Sequence, residues 1–470
     1  MKNIIAWRYS VNPETVETKP PPRLGPSGAV SGVERPRGRF RALTVRNLDG
    51  FGRYGIGDDD LFTMRVISSV LPFRTNRYVA EHLIDWDRIP EDPIYQLVFP
   101  QRDMLAEGDF RRIADLMVRD APKEEVDRAA AEIRGGLNPH PAGQRELNIP
   151  SGDGTVFEGL QHKYRETVLF FPSKGQTCHA YCTFCFRWAQ FVGDSELKIS
   201  SKDAAHLYSY LAAHPEVSDL LVTGGDPMIM KTRVIERYLR PILDDPALGH
   251  VRNIRFGTKA LGFWPHRFIH DNDADDLLRF LEEIVRSGRH VAIMAHFNHW
   301  QELRTNVVRE AIRRIRDTGA VIRSQAPLLD HINNDPDVWA RMWRTQVGLG
   351  IIPYYMFVER DTGAKRYFEV PLARGWEVFR QAVRQVSGLG RTVRGPSMSA
   401  TPGKVEVLGV REVAGERVFV LRFLQGRDPE WVDQPFFAKY DPKATWLNQL
   451  EPAFGENSFF FERDDGGSPR

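Results

Sequence analysis

The chain is 470 residues long, with 42% hydrophobic and 27% charged residues and a formal net charge of +2. That is the make-up of a globular protein with one large domain plus extensions, or two to three smaller ones. A charge so near zero gives no global reason to expect nucleic acid or a membrane surface as partner, and no apolar run approaches the roughly 20 residues that cross a bilayer. The apolar start, Met1-Lys-Asn-Ile-Ile-Ala-Trp-Arg8, is too short for the centre of a signal peptide. A cytoplasmic location is therefore expected, where thiols stay reduced and clustered cysteines usually bind metal.

In chain order, residues 1–60 are rich in Pro, Gly and Arg, with Lys19-Pro-Pro-Pro-Arg23 and the basic run Arg35-Pro-Arg-Gly-Arg39. They read as an irregular arm with little core of its own. Residues 61–160 form a helical N-terminal region, since Phe110, Ile113, Ala114 and Met117 recur at three- and four-residue steps. From 161 to 410 short β-rich runs alternate with amphipathic stretches. The predicted strands are 167–171, 219–223, 253–256, 290–295, 321–324 and 353–358; the predicted helices lie near 202–213, 232–243, 274–287, 303–317 and 336–346. Strands separated by crossovers of that length must pair in parallel, which predicts an α/β fold, most simply a partial (β/α)6 barrel. Residues 411–470 are a C-terminal extension.

Polar and glycine-rich groups follow these strands one after another: the cysteine loop, then Gly224-Gly-Asp226, Gly257-Thr-Lys259 and His296-Phe-Asn-His299. Sites of parallel α/β sheets gather at that rim. The only three cysteines stand in Cys178-His-Ala-Tyr-Cys182-Thr-Phe-Cys185. Three thiolates on one loop can each hold one iron of a four-iron, four-sulfur cube and leave the fourth iron open. The same residues also permit a zinc site completed by His179 or a distant histidine, or a disulfide plus one free thiol.

The loop, with its aromatic residue before the last cysteine, resembles the signature of radical S-adenosylmethionine (SAM) enzymes. Beyond it, His162-Lys-Tyr164, Leu221-Val-Thr-Gly-Gly-Asp226, Ala295-His-Phe-Asn-His299, Ser324-Gln325, Pro353-Tyr-Tyr355 and Gly403-Lys404 resemble the lysine 2,3-aminomutase family in order and spacing. The resemblance implies a radical-SAM-type barrel in which Cys178, Cys182 and Cys185 bind a [4Fe-4S] cluster. It further implies that Gly224, Gly225, Asp226 and Gln325 face SAM and that Arg187 binds the substrate carboxylate. Lys404 would be the covalent anchor of pyridoxal 5′-phosphate. The implied reaction is an isomerisation, the migration of an amino group from the α- to the β-carbon of a free amino acid by way of a 5′-deoxyadenosyl radical. The implied redox partner is an electron donor such as flavodoxin or ferredoxin, and a homo-oligomer stays open.

Where lysine-using members carry two aspartates, this chain aligns Asn334 and Ser397, so these are the expected substrate-binding positions and the substrate is expected not to be lysine. An arginine expected near the cofactor phosphate aligns with Thr167, with Lys163 and Arg165 close by. Two readings compete with the aminomutase: a different radical reaction on the same scaffold, and a zinc-stabilised, non-enzymatic binding module.

Overall fold

A sheet of eleven strands in unbroken sequence order organises the computed structural model, which describes residues 40–462 apart from Asp153, Ser195 and Asp203. Most of the stretch read as an irregular arm, including Arg35–Arg39, lies outside the described residues. The strands are β1 (Leu160–Tyr164), β2 (Thr167–Phe170), β3 (Asp219–Val222), β4 (Asn253–Thr258), β5 (His290–His296), β6 (Val321–Leu328), β7 (Ile352–Val358), β8 (Arg394–Ser399), β9 (Gly403–Val413), β10 (Glu416–Gly426) and β11 (Pro435–Lys439). From β2 to β8 every pairing is parallel. β1 pairs antiparallel at one end, and β9, β10 and β11 extend the other end antiparallel.

Each of the first five parallel steps is carried by a helix that the apolar spacing places. One of them, Thr232–Asp244, buries Ile235, Tyr238, Leu239 and Ile242; another, Asn306–Asp317, buries Val308, Ala311, Ile312 and Ile315. These are the three- and four-residue steps of a helix face laid on a sheet. The Thr305 side chain accepts from the Val308 N–H and caps the second of them. The sheet contains one parallel strand more than expected, β8, reached from β7 through the helix Leu372–Arg384. β9 runs unbroken across residues 410 and 411, where the C-terminal extension was expected to begin.

Ahead of the sheet, the helices α1 (Asp58–Val70), α2 (Pro93–Val98), α3 (Glu107–Val118) and α4 (Lys123–Gly136) form a layer with its own buried core. Within the predicted arm, Val45–Tyr54 is a 3-10 turn that buries Leu48 and Phe51 in this core. The same core takes in Ala180, Phe184 and Trp188 of the cysteine loop. Among the described residues no helix is long and apolar enough to cross a membrane.

The loop between β2 and β3 is fastened to that layer through its backbone. Tyr181 N–H donates to the Arg74 carbonyl at 2.8 Å and Thr183 N–H to the Leu97 carbonyl at 3.0 Å. Thr183 Oγ1 donates to the Gln96 carbonyl at 2.7 Å. Asn76, fully buried, donates Nδ2 to the carbonyls of His179 and Phe263 at 3.1 and 3.0 Å, while its Oδ1 accepts from Val79 N–H. An Asn76→Ala variant leaves both carbonyls buried without a donor and uncaps the helix Arg77–His82. Its stability in a urea titration should fall by about 2 kcal/mol; a loss under roughly 0.5 kcal/mol would match an ordinary surface position instead.

Candidate active site

One cavity of about 320 Å³ opens at the carboxyl ends of the parallel strands. Its wall includes Cys178, Cys182 and Cys185, then Gly224, Gly225 and Asp226 beyond β3, Lys259 beyond β4, His296 at the end of β5, Gln325 on β6 and Lys404 on β9. The structure thus brings together the cysteines, Arg187, the Gly-Gly-Asp turn, Gln325 and Lys404, although they span nearly half of the chain. Strand ends converge there, which is why one rim collects them.

Beyond β3, the turn is shaped by the cysteine loop beside it. Gly224 has φ +141°, and a Cβ on Gly225 would stand 2.5 Å from the Thr177 backbone nitrogen. Gly225 N–H donates to the Gly175 carbonyl at 3.0 Å and Asp226 N–H to the Thr177 carbonyl at 2.8 Å. The glycines therefore seat this turn on the cysteine loop. Asp226 accepts from Met228 N–H at 2.9 Å, Thr258 Oγ1 at 2.7 Å and Lys259 N–H at 2.9 Å. Burial pushes its carboxyl up to about 6. With its oxygens engaged, Asp226 ties β3 to β4. Lys259 donates to Glu302 Oε1 at 2.5 Å and Asn298 Oδ1 at 2.9 Å, a buried ion pair locking the next rim.

All three cysteines are free thiols. Burial pushes Cys185 up to about 11, and Cys178 and Cys182 rise as well, so a thiolate here needs a cation bound directly to it. Among the described residues no three His, Cys, Asp or Glu side chains converge where a single metal ion could sit. His179 Nδ1 is buried without a hydrogen-bond partner among the described residues.

Facing the thiols, the wall is cationic. Arg187 has its guanidinium 4.4 Å from the Phe171 ring centre and 4.9 Å from that of Phe186; Arg360 lies 4.5 Å from the same Phe186 ring. Neither arginine hydrogen-bonds or ion-pairs with any described residue, and Arg187 Nη1 is buried unpaired. A ring under a guanidinium contributes about 0.5–2 kcal/mol, against several kcal/mol for taking each ion out of water. The balance is left to an anion. Arg360 was not expected from the sequence, where one arginine after a strand reads as a solvated residue. Its rim position was the available signal.

Lys404 donates Nζ to Gln425 Oε1 at 2.8 Å and lies 4.3 Å from the Tyr355 ring centre. Burial, with Arg255 and Arg360 near, lowers it to about 7. Lys163, which donates to the Ala400 carbonyl, is lowered to about 6 by burial and the same Arg360. Gln325 Nε2 lies 2.8 Å from His296 Nε2, and burial holds His296 down to about 3, so its neutral ring can accept. Two expected positions are outside the lining. Asn334 bonds Asp330 and the Arg374 side chain in the turn after β6. Ser397 is fully buried within β8 with its hydroxyl unpaired.

No family model matches the sequence. It is 29% identical over 403 residues to a putative L-lysine 2,3-aminomutase of Aquifex aeolicus, a match covering 85% of this chain and 93% of that protein. The L-lysine 2,3-aminomutase of Bacillus subtilis is 27% identical over 230 residues, 49% of this chain and 45% of its own length. These likenesses support a radical SAM, lysine 2,3-aminomutase-like family for this chain. The glutamate 2,3-aminomutase of Clostridioides difficile is 27% identical over 55% of this chain and 58% of its own length. Among solved structures, a radical SAM methyltransferase from Sphaerobacter thermophilus is 12% identical with a TM-score of 0.33, over 58% of this chain and 89% of that one; so slight an overlap bears no argument.

Similarity to this family implies a [4Fe-4S] cluster and SAM, and the residues present fit both: three free thiols line one cavity together with the Gly-Gly-Asp turn. The Gly225→Ala variant tests the seating of that turn. Its Cβ must displace the Thr177 backbone one residue before Cys178, so iron retained after anaerobic reconstitution should fall to under half of the wild-type value while helix content by circular dichroism is unchanged; undiminished iron would show that the turn does not position the loop.

Proposed function

We propose that the chain is a radical SAM isomerase acting on a free amino acid other than lysine, a 2,3-aminomutase with pyridoxal 5′-phosphate on Lys404. The observation that carries this reading is the presence, in one cavity, of the three thiols and a lysine whose amine is desolvated to near neutrality. The parallel sheet is taken to curve as a partial (β/α)6 barrel of radical SAM type, because the Lys163 side chain on β1 reaches the Ala400 carbonyl beyond β8.

In this reading Cys178, Cys182 and Cys185 hold three irons. The turn Gly224–Asp226 and Gln325 border SAM, and Arg187 takes the substrate carboxylate through its unpaired fork. When bound, the cluster and SAM supply a carbon radical, and the pyridoxal ring spreads an unpaired electron next to the migrating nitrogen. The protein's own residues position and exclude. The rings of Tyr164, Tyr355 and Phe357 all lie within 6 Å of Lys404 Nζ and wall it from water. Gln425 orients the amine while burial, with Arg255 and Arg360 near, lowers it to about 7. An external electron donor of the flavodoxin or ferredoxin kind reduces the cluster.

A second reading, a radical reaction other than amino migration, draws on Thr167. It lines the cavity where the family places an arginine, and brings no charge.

Borohydride trapping discriminates the two. With pyridoxal phosphate present, peptide mapping should find the reduced cofactor on Lys404 and none after Lys404→Ala; a clean map in the wild type would favour the second reading. The sign with pH follows from the lowered value. Below about 7 Lys404 is an ammonium without a lone pair, and above it a free amine. Capture should therefore rise as pH passes through about 7 and then level off, whereas an ordinary exposed lysine would keep rising to about 10.

A further inference from the structure

We infer that the cavity is built for an amino acid with a second acidic group, with Arg187 holding the α-carboxylate and Arg360 the distal acid. This rests on the aminomutase reading and narrows its substrate class.

The two guanidiniums share the Phe186 ring, both line the cavity, and neither has an acidic partner. The other cations in the wall are accounted for: Lys259 pairs with Glu302, and Arg255 with Asp219 at 2.6 Å. Of the carboxyl groups in the wall, Asp226 is fully engaged by its turn and by β4. Glu359 forms no ion pair among the described residues, and burial raises its carboxyl well above the usual carboxylate range against the opposing pull of Lys365 and Arg360. A distal ammonium would therefore meet two guanidiniums and a carboxyl whose charge burial disfavours. A neutral side chain would leave Arg360 unpaired in a site with restricted access to water. A distal carboxylate satisfies the planar fork of Arg360 directly.

The cofactor phosphate is the other oxyanion that could occupy this seat. It has separate donors in the same wall: the Lys163 amine, the buried and unpartnered Nε2 of Gln144, and Ser399, which pairs with Lys404 across the strands. That leaves Arg360 for the substrate.

The test is calorimetric binding of L-glutamate, L-aspartate, L-glutamine and L-lysine to the anaerobically reconstituted holoprotein, with parallel assays for 5′-deoxyadenosine and a β-amino isomer. The acidic amino acids should bind more tightly than glutamine by roughly 100-fold, and Arg360→Gln should abolish that preference while Arg360→Lys keeps part of it. Pyridoxal phosphate should still be captured by both variants, in Arg360→Gln at a somewhat higher pH because one of the charges that lower Lys404 is gone. Tighter binding of glutamine or lysine by the wild type, with isomer formed, would overturn the inference and leave the aminomutase reading standing. Loss of pyridoxal phosphate affinity in Arg360→Gln with amino acid preference unaltered would assign the seat to the phosphate and equally overturn it. Arg360-dependent selection of acids without any isomer would uphold the seat and refute the aminomutase.

Discussion

The cysteine loop has no secondary structure to hold it, and its grip comes from elsewhere: backbone groups at Tyr181, Thr183 and His179 bonded to Arg74, Leu97 and Asn76 of the helical layer. On its other side the Gly-Gly-Asp turn bonds to Gly175 and Thr177. A buried peptide group left unpaired costs as much as a lost hydrogen bond, so the loop is fixed only while both neighbours are in place. The N-terminal helices are thus part of the site, although none of them supplies a reactive group. Phe184 and Trp188 anchor the same loop in the helical core, each contributing roughly 2 kcal/mol by burial.

Two electrostatic costs meet in the cavity. Its wall holds thiols that burial disfavours as thiolates, with Arg187 close to them, and also Arg360 and two amines held near neutrality. Both arrangements are costly in an empty protein and are offset only by what enters, metal cations for the thiols and oxyanions for the arginines. The Asp226 and Lys259–Glu302 contacts are complete within the chain, so the framework stays fixed while the site fills.

Much of this was legible in the sequence where chemistry and period coincide. The six predicted strands are runs rich in aliphatic and aromatic residues, most bounded by Gly, Asn or Asp, and each appears within a few residues of its expected limits. β8 escaped because Gly395 and Pro396 read as a loop; Pro396 is tolerated at a register shift in the pairing with β7. The cysteine spacing announced a metal site unaided, whereas Lys404 drew attention only by resemblance. Counting along the chain placed Asn334 and Ser397 at the substrate, but counting does not say which way a side chain faces: Asn334 bonds Arg374, and Ser397 lies on a buried stretch of β8. Arg360 carried no motif at all. Its importance emerges only from burial without a partner, a property of the folded chain.

The central claim is that three thiolates hold an iron–sulfur cube with one iron open to SAM. Its most direct test is the electron paramagnetic resonance spectrum of the anaerobically reconstituted, reduced protein with and without SAM, alongside iron and sulfide analysis. The account predicts about four irons and four sulfides per chain and a signal that shifts when SAM is added, both lost when Cys178, Cys182 and Cys185 are replaced by alanine. One zinc per chain with no sulfide, or a cluster signal indifferent to SAM, would contradict it.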